Sequence, residues 1–183
     1  VSAGSGLRGR ALARDEIAAI WTIDRGETIE GLYRVEGGAL VLRPERIELE
    51  GWPEGEADRY GPLLESCHDR GGWLHGLFDG ARLVAVAVLD PRPLGPEGDR
   101  MQLKMLYVDR ALRGRGVGRA LFGLACDEAA RRGARGLYVS ATPSEHTIRF
   151  YLELGCRLAP EPDPELLALE PEDVHLDHSL EPS

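Results

Sequence analysis

The stretch Leu106-Tyr107-Val108-Asp109-Arg110-Ala111-Leu112-Arg113-Gly114-Arg115-Gly116-Val117-Gly118-Arg119-Ala120-Leu121-Phe122 decides the fold. An apolar strand feeds a glycine-rich turn, and the turn opens a helix with Val117, Leu121, Leu124 and Ala125 on its inner face. Glycines let the backbone curl so that successive N–H groups point into one concavity. The first turn of a helix adds unsatisfied N–H donors and the positive end of its dipole. Such a turn is a cradle for a pyrophosphate, and Arg113, Arg115 and Arg119 bring charge to it.

Two ligand classes fail on specific residues. A P-loop requires a Lys-Ser/Thr pair after its glycines, and none follows here. A dinucleotide fingerprint needs a glycine where Arg119 stands. The ribose-binding acid it also needs is missing from the next strand, which ends Ser140-Ala141-Thr142.

Outward from the loop, an order of elements emerges. Residues 73–78 and 82–89 flank Asp79-Gly80 as two strands of a tight hairpin, the second apolar throughout as in a strand covered on both faces. A Pro/Gly loop (91–98) leads to a strand over 101–108. A helix over about 116–132 ends at Gly133, and a strand over 136–141 follows. Thr142 as N-cap, Pro143 at the first position and Glu145 in a capping box predict a helix that runs to Leu154 and stops at Gly155. Upstream, Ile17, Ile20 and Trp21 share one face of a helix over 14–24, and residues 32–35 and 39–42 flank Glu36-Gly37-Gly38 as a hairpin. Residues 43–56 read as loop, 57–69 as a short helix and 174–180 as a closing strand. The expectation is an α/β fold with a mixed sheet, a flexible segment at 1–13 and a single domain at 14–183.

Arg113-Gly114-Arg115-Gly116-Val117-Gly118 is similar to the [RQ]-x-x-G-x-[GA] loop of the GNAT superfamily of acyl-CoA-dependent N-acetyltransferases. Phe150-Tyr151-Leu152-Glu153-Leu154-Gly155-Cys156 resembles that family's F-Y-x-x-x-G-F ending, with Cys156 in place of the aromatic. The resemblance covers about residues 73–159 and implies a mostly antiparallel central sheet flanked by helices. It implies acetyl-CoA as cosubstrate, with main-chain groups of Leu106, Tyr107 and Val108 along the pantetheine arm and residues 113–119 on the pyrophosphate. It further implies Tyr151 as the acid that protonates the leaving thiolate. His146 stands where the family often has an asparagine. The reaction is direct attack by an amine, which requires no Ser or Cys nucleophile.

The base that takes the amine's proton stays open. Gln102 and Lys104 occupy the strand where some relatives carry a glutamate, which leaves Glu27, Glu30, His75 or a water chain. The acceptor is read as a primary amine on a small molecule. A protein N-terminus or lysine, or a silent CoA-binding module, are the alternatives. A nucleotide-binding module would be told apart by ATP or NAD competing with acetyl-CoA.

Composition narrows the field further. The net charge is −9, yet residues 100–135 hold nine basic side chains against three acids. A basic patch in an acidic chain suits a small polyanion better than a nucleic acid. No run approaches the ~18 apolar residues of a membrane helix. Three cysteines, Cys67, Cys126 and Cys156, lack metal spacing and read as reduced thiols of a cytoplasmic protein. His175 and His178 lie on opposite faces of a strand, so no metal is expected. Trp21, Trp52 and Trp73 read as core, with Trp21 or Trp52 as possible pocket walls. Family resemblance favours a homodimer.

Overall fold

A computed structural model describes residues 6–180. In chain order the elements are β1 (Arg8–Ala11), a 3₁₀ helix (Arg14–Thr22), β2 (Glu27–Glu36), β3 (Ala39–Leu49) and α1 (Glu56–Asp69). There follow β4 (Trp73–Asp79), β5 (Arg82–Leu94), β6 (Arg100–Val108), a 3₁₀ turn (Arg110–Leu112), α2 (Val117–Arg131) and β7 (Gly136–Ala141). The chain closes with α3 (Glu145–Glu153), β8 (Arg157–Leu158), α4 (Pro164–Leu169) and β9 (Val174–Ser179). Hydrogen bonding orders seven strands β1-β4-β5-β6-β7-β9-β8, and β2-β3 form a separate ribbon. The β6/β7 pairing is parallel, whereas β1/β4, β4/β5, β7/β9 and β8/β9 are antiparallel. This is the mixed, mostly antiparallel sheet with flanking helices that the sequence predicts. No helix among the described residues is long and apolar enough to cross a membrane.

The chain groups into two compact units. The first holds residues up to Glu27, 49–91 and 104–125. Its core joins Ile17, Ile20 and Ile23 to Leu64 and Cys67 of α1 and to Leu74, Val86 and Val88 of the hairpin. Residues 83–89 are buried without a break, as their unbroken apolar run requires. Burying one isoleucine such as Ile20 contributes about 1.5–3 kcal/mol. The second unit holds 28–48, 92–103 and 126 onward. There β7 is central, paired with β9 from Gly136↔Ser179 to Ala141↔Val174. Gly136 is required by close approach: a Cβ there would meet the Arg100 side chain and the His178 carbonyl at 2.5–2.7 Å.

Several expectations are corrected. Arg8–Ala11 are not loose but pair with β4. Residues 43–49 are strand, because β3 pairs with β2 and is itself mostly exposed, so that its polar side chains cost nothing there. Cross-strand pairs Arg43–Glu36 (2.7 Å) and Arg46–Glu30 (3.3 Å) line it. β5 continues through Pro91 and Pro93 to Leu94. The N-cap of α3 is Ser144, not Thr142, and its hydroxyl accepts from the Thr147 N–H at 3.3 Å. Pro143 is instead held extended, its carbonyl accepting from the Tyr33 N–H at 2.7 Å beside the Leu32↔Ser144 bridge. The helix over 14–24 is 3₁₀ in form and ends at Thr22.

Candidate active site

In the first unit, β6 ends at Val108, and the buried Asp109 that follows accepts from the Ala111 N–H at 3.1 Å and caps the 3₁₀ turn. The backbone then passes through Gly114 (φ 73°) and Gly116 (φ 77°) before α2 begins at Val117. These are left-handed conformations that L side chains adopt only with strain, so glycine is required at both. The N–H groups of residues 114–118 have no acceptor among the described residues. They stand in a row at the positive end of α2, the donor array that an anionic group satisfies. Arg115 and Arg119 are exposed on this turn.

Arg113 behaves differently. Its Nε donates to the Val108 carbonyl at 3.3 Å and its Nη1 to the Gly26 carbonyl at 3.1 Å, with Glu27 at 3.8 Å. The Arg110 N–H also donates to the Asp24 carbonyl, at 2.8 Å. Arg113 thus ties segment 24–27 and the end of β6 to the cradle. Leu106, Tyr107 and Val108 are half-buried. The Tyr107 ring packs edge-on against Trp52 (4.7 Å), which packs on Trp21 (4.8 Å). The buried Arg25 guanidinium lies over Trp52 and Tyr107 at 4.9 and 5.3 Å and pairs with Glu56 at 3.2 Å. These tryptophans are walls of the aromatic cluster.

In the second unit, the parallel β6/β7 ladder holds three residue pairs, from Arg100↔Gly136 to Gln102↔Tyr138, and ends there. Among the described residues, β7 continues to Ala141 paired with β9 alone. Tyr151 is buried on α3 against Phe150 (5.1 Å), and His146 is exposed on the first turn of the same helix. Two residues past the end of the ladder, the Ser140 hydroxyl donates to Asp173 Oδ2 at 3.0 Å. Burial pushes the Asp173 carboxyl up to about 6; Ser140 pulls it down and the nearby Glu170 carboxylate adds to the rise. Nothing in the sequence singled out this pair.

The remaining candidates are sorted by their surroundings. Lys104 is held by Asp90 at 3.2 Å, and Gln102 is buried. Glu30 is largely exposed and engaged by Arg46. His75 stacks on Trp73 and burial pulls its pKa down. Desolvation holds the thiols protonated, Cys67 and Cys126 pushed up to about 11 and Cys156 to about 12, so no thiolate nucleophile is offered. Among the described residues, no group of three or more His, Cys, Asp or Glu is placed to hold a metal.

Comparison with known proteins bears on the fold and the family. No curated protein sequence matches the chain. Its fold is shared with the crystal structure of nourseothricin acetyltransferase (TM-score 0.70, 23% identity, 97% of this chain and 100% of that one). It is shared also with the PaiA N-acetyltransferase from Thermoplasma acidophilum in complex with coenzyme A (TM-score 0.63, 13% identity, 96% and 99%). A third similar structure is the ribosomal-protein-S18-alanine N-acetyltransferase from Escherichia coli (TM-score 0.58, 16% identity, 97% and 96%). The sequence profile of the acetyltransferase (GNAT) family matches residues 41–156, which include both the glycine cradle and Tyr151, and the chain belongs to that family of acyl-CoA-dependent enzymes.

Proposed function

We propose that the protein transfers an acetyl group from acetyl-CoA to a primary amine on a small molecule, with residues 14–183 working as one catalytic domain. The observation that carries this reading is the run of open N–H groups at 114–118, where the turn leads into α2, which suits a pyrophosphate. When bound, acetyl-CoA supplies a thioester whose carbonyl carbon is the acyl donor. Arg115 and Arg119 add positive charge beside the phosphates, while Arg113 holds the cradle to β6. The Leu106–Val108 edge offers main-chain groups to the amides of the pantetheine arm in the manner of an added strand. An N–H near Leu106 polarises the thioester carbonyl. His146 reaches the same arm by a hydrogen bond. Tyr151 gives its proton to the departing thiolate as the C–S bond breaks. The small-molecule acceptor is supported by the likeness to nourseothricin acetyltransferase; the protein-acetylating relative makes a peptide the rival.

The test is release of free CoA thiol from acetyl-CoA, with and without kanamycin, spermidine, lysine and a short peptide. Amine-dependent release is expected, and Tyr151→Phe lowers kcat by about 10²-fold or more while acetyl-CoA binding stays intact. Release with the peptide alone would replace the acceptor; failure to bind acetyl-CoA would sink the reading.

A further inference from the structure

The Ser140–Asp173 pair stands at a particular place in the second unit. β7 is paired with β6 only as far as Tyr138, and Ser140 lies two residues beyond. On the transferase reading, an acyl arm that enters where these two parallel strands part, past Gln102↔Tyr138, has Ser140 and its partner beside the reacting carbon. The pair is made by the β7/β9 register. Ser140 lies opposite His175 and Ala141 opposite Val174, which brings Asp173, the residue before β9, alongside the end of β7. The Asp173 N–H is fastened to the Glu170 carbonyl (3.2 Å), which fixes the turn that presents the carboxylate.

What faces this carboxylate is unusual for an aspartate mostly out of water. From β7 it receives the Ser140 hydroxyl, and from the end of α4 it feels the Glu170 carboxylate. Its neighbour Glu172 is engaged by Arg34 of β2, and the His175 ring is turned to Tyr138 (Nδ1 to hydroxyl, 2.6 Å). No cation pairs with Asp173 among the described residues. Buried carboxylates are ordinarily paired or fully hydrogen-bonded. This one keeps acceptor capacity for a cation from outside the chain.

We propose that Asp173, positioned by Ser140, is the catalytic group that binds the acceptor's ammonium and takes its proton. This deepens the transferase reading and rests on it. The ammonium gives one proton to the Asp173 carboxylate, leaving a neutral amine. The nitrogen lone pair forms the C–N bond at the thioester carbon as the C–S bond breaks, and the sulfur leaves with the Tyr151 proton. The second nitrogen proton restores the Tyr151 hydroxyl. The products are amide and free thiol, and the proton on Asp173 returns to water. A carboxyl of pKa about 6 is ionised at neutral pH and basic enough to share a proton with a desolvated ammonium. Such a carboxylate favours an acceptor that arrives as a cation.

The experiment is the pH profile of kcat/KM for thiol release with the best amine of the panel, for wild type, Asp173→Asn and Ser140→Ala, beside calorimetric titration of each with acetyl-CoA. Wild type is expected to lose rate as pH falls through about 6. Asp173→Asn lowers kcat/KM by about 10²-fold or more and removes that acid limb, with unchanged acetyl-CoA affinity. Ser140→Ala removes a bond that favours the ionised form, so activity persists and the limb moves to higher pH. A merely structural serine would leave the limb in place. If Asp173→Asn keeps the wild-type rate and limb, or Ser140→Ala leaves the limb unmoved, the assignment is overturned while the transferase reading stands. Failure of the wild type to bind acetyl-CoA or to release thiol with any amine removes both.

Discussion

The cradle at 113–119 and the Ser140–Asp173 pair are built in opposite ways. The cradle is local. Seven consecutive residues make it, its donors are main-chain N–H groups, and its two glycines at φ 73° and 77° are its signature. The pair is non-local: two side chains 33 residues apart, joined by strand register. A main-chain site announces itself as a spacing of glycines. A side-chain site made by register announces nothing, because serine and aspartate are common and only the sheet brings them together. The two differ in energy as well. The cradle's open donors face water and are inexpensive to keep, whereas a half-buried carboxylate without a cation is a standing cost.

The largest effect should come from that cost. The Asp173 pKa is raised on folding, from an ordinary 3.8 to about 6, so the folded state holds this proton more tightly than the unfolded chain. Above pH 6 the ionised carboxylate opposes folding. Below about 3.8 both states are protonated and the cost is gone. Asp173→Asn should therefore be more stable than wild type at pH 8, by about 1–3 kcal/mol, with the gap closing as pH falls from 6 to 4. Urea unfolding of both proteins at pH 8 and pH 4 measures it. A gain in stability alongside a loss of turnover would mark a group retained for function. Equal stability at both pH values would say that the carboxylate is well solvated and the contrast between the regions is false.

Much of the fold was legible because its cues are local. The Asp79-Gly80 turn, the apolar run 83–89, the loop 113–118 and Gly155 after α3 each act within a few residues. The misses share a physical cause. Arg8–Ala11 form β1 only because β4 offers an edge, and residues 43–49 stay extended only because β2 lies beside them. Thr142 lost the N-cap to Ser144 because Pro143 is drawn to Tyr33, 110 residues earlier. The basic patch was legible as a count but not as a potential. Arg100 is held by Asp99 and Asp177, Lys104 by Asp90, and Arg131 and Arg132 by Glu128. Arg113 faces carbonyls. The acidic stretch between Pro160 and Ser183, with eight acids and no Lys or Arg, did not set Asp173 apart from its neighbours.

A second prediction sharpens the claim that the cradle is made of backbone. Gly116→Val puts a β-branched residue at φ 77°, where no neighbouring atom lies within 4 Å of the added Cβ, so the penalty is conformational and not steric crowding. Strain of about 1–2 kcal/mol should relax the turn and weaken acetyl-CoA binding by roughly tenfold. Gly118→Ala, inside the first turn of α2 with ordinary helical φ, should leave affinity within a factor of about two and favour the helix slightly. Calorimetric titration of both variants decides it. Equal losses would mean that the loop tolerates any backbone change poorly; no loss at Gly116 would mean that side chains, not N–H groups, hold the phosphates.

The smallest effect belongs to charge. Arg115 is exposed and among the described residues has no ion-pair partner, so its contribution to an anion is that of a screened surface charge, on the order of 0.2–1 kcal/mol. Arg115→Ala should weaken acetyl-CoA binding about two- to fivefold at low salt. The difference should shrink toward nothing near 1 M salt, where the Debye length falls to about 3 Å. Wild type and Asp173→Asn should show no comparable divergence with salt in their acetyl-CoA affinities, because that carboxylate meets the amine and not the phosphates. A loss at Arg115 that survives high salt would point instead to a buried, bidentate contact. The cradle would then owe its affinity to a side chain in the same way that the Ser140–Asp173 pair does.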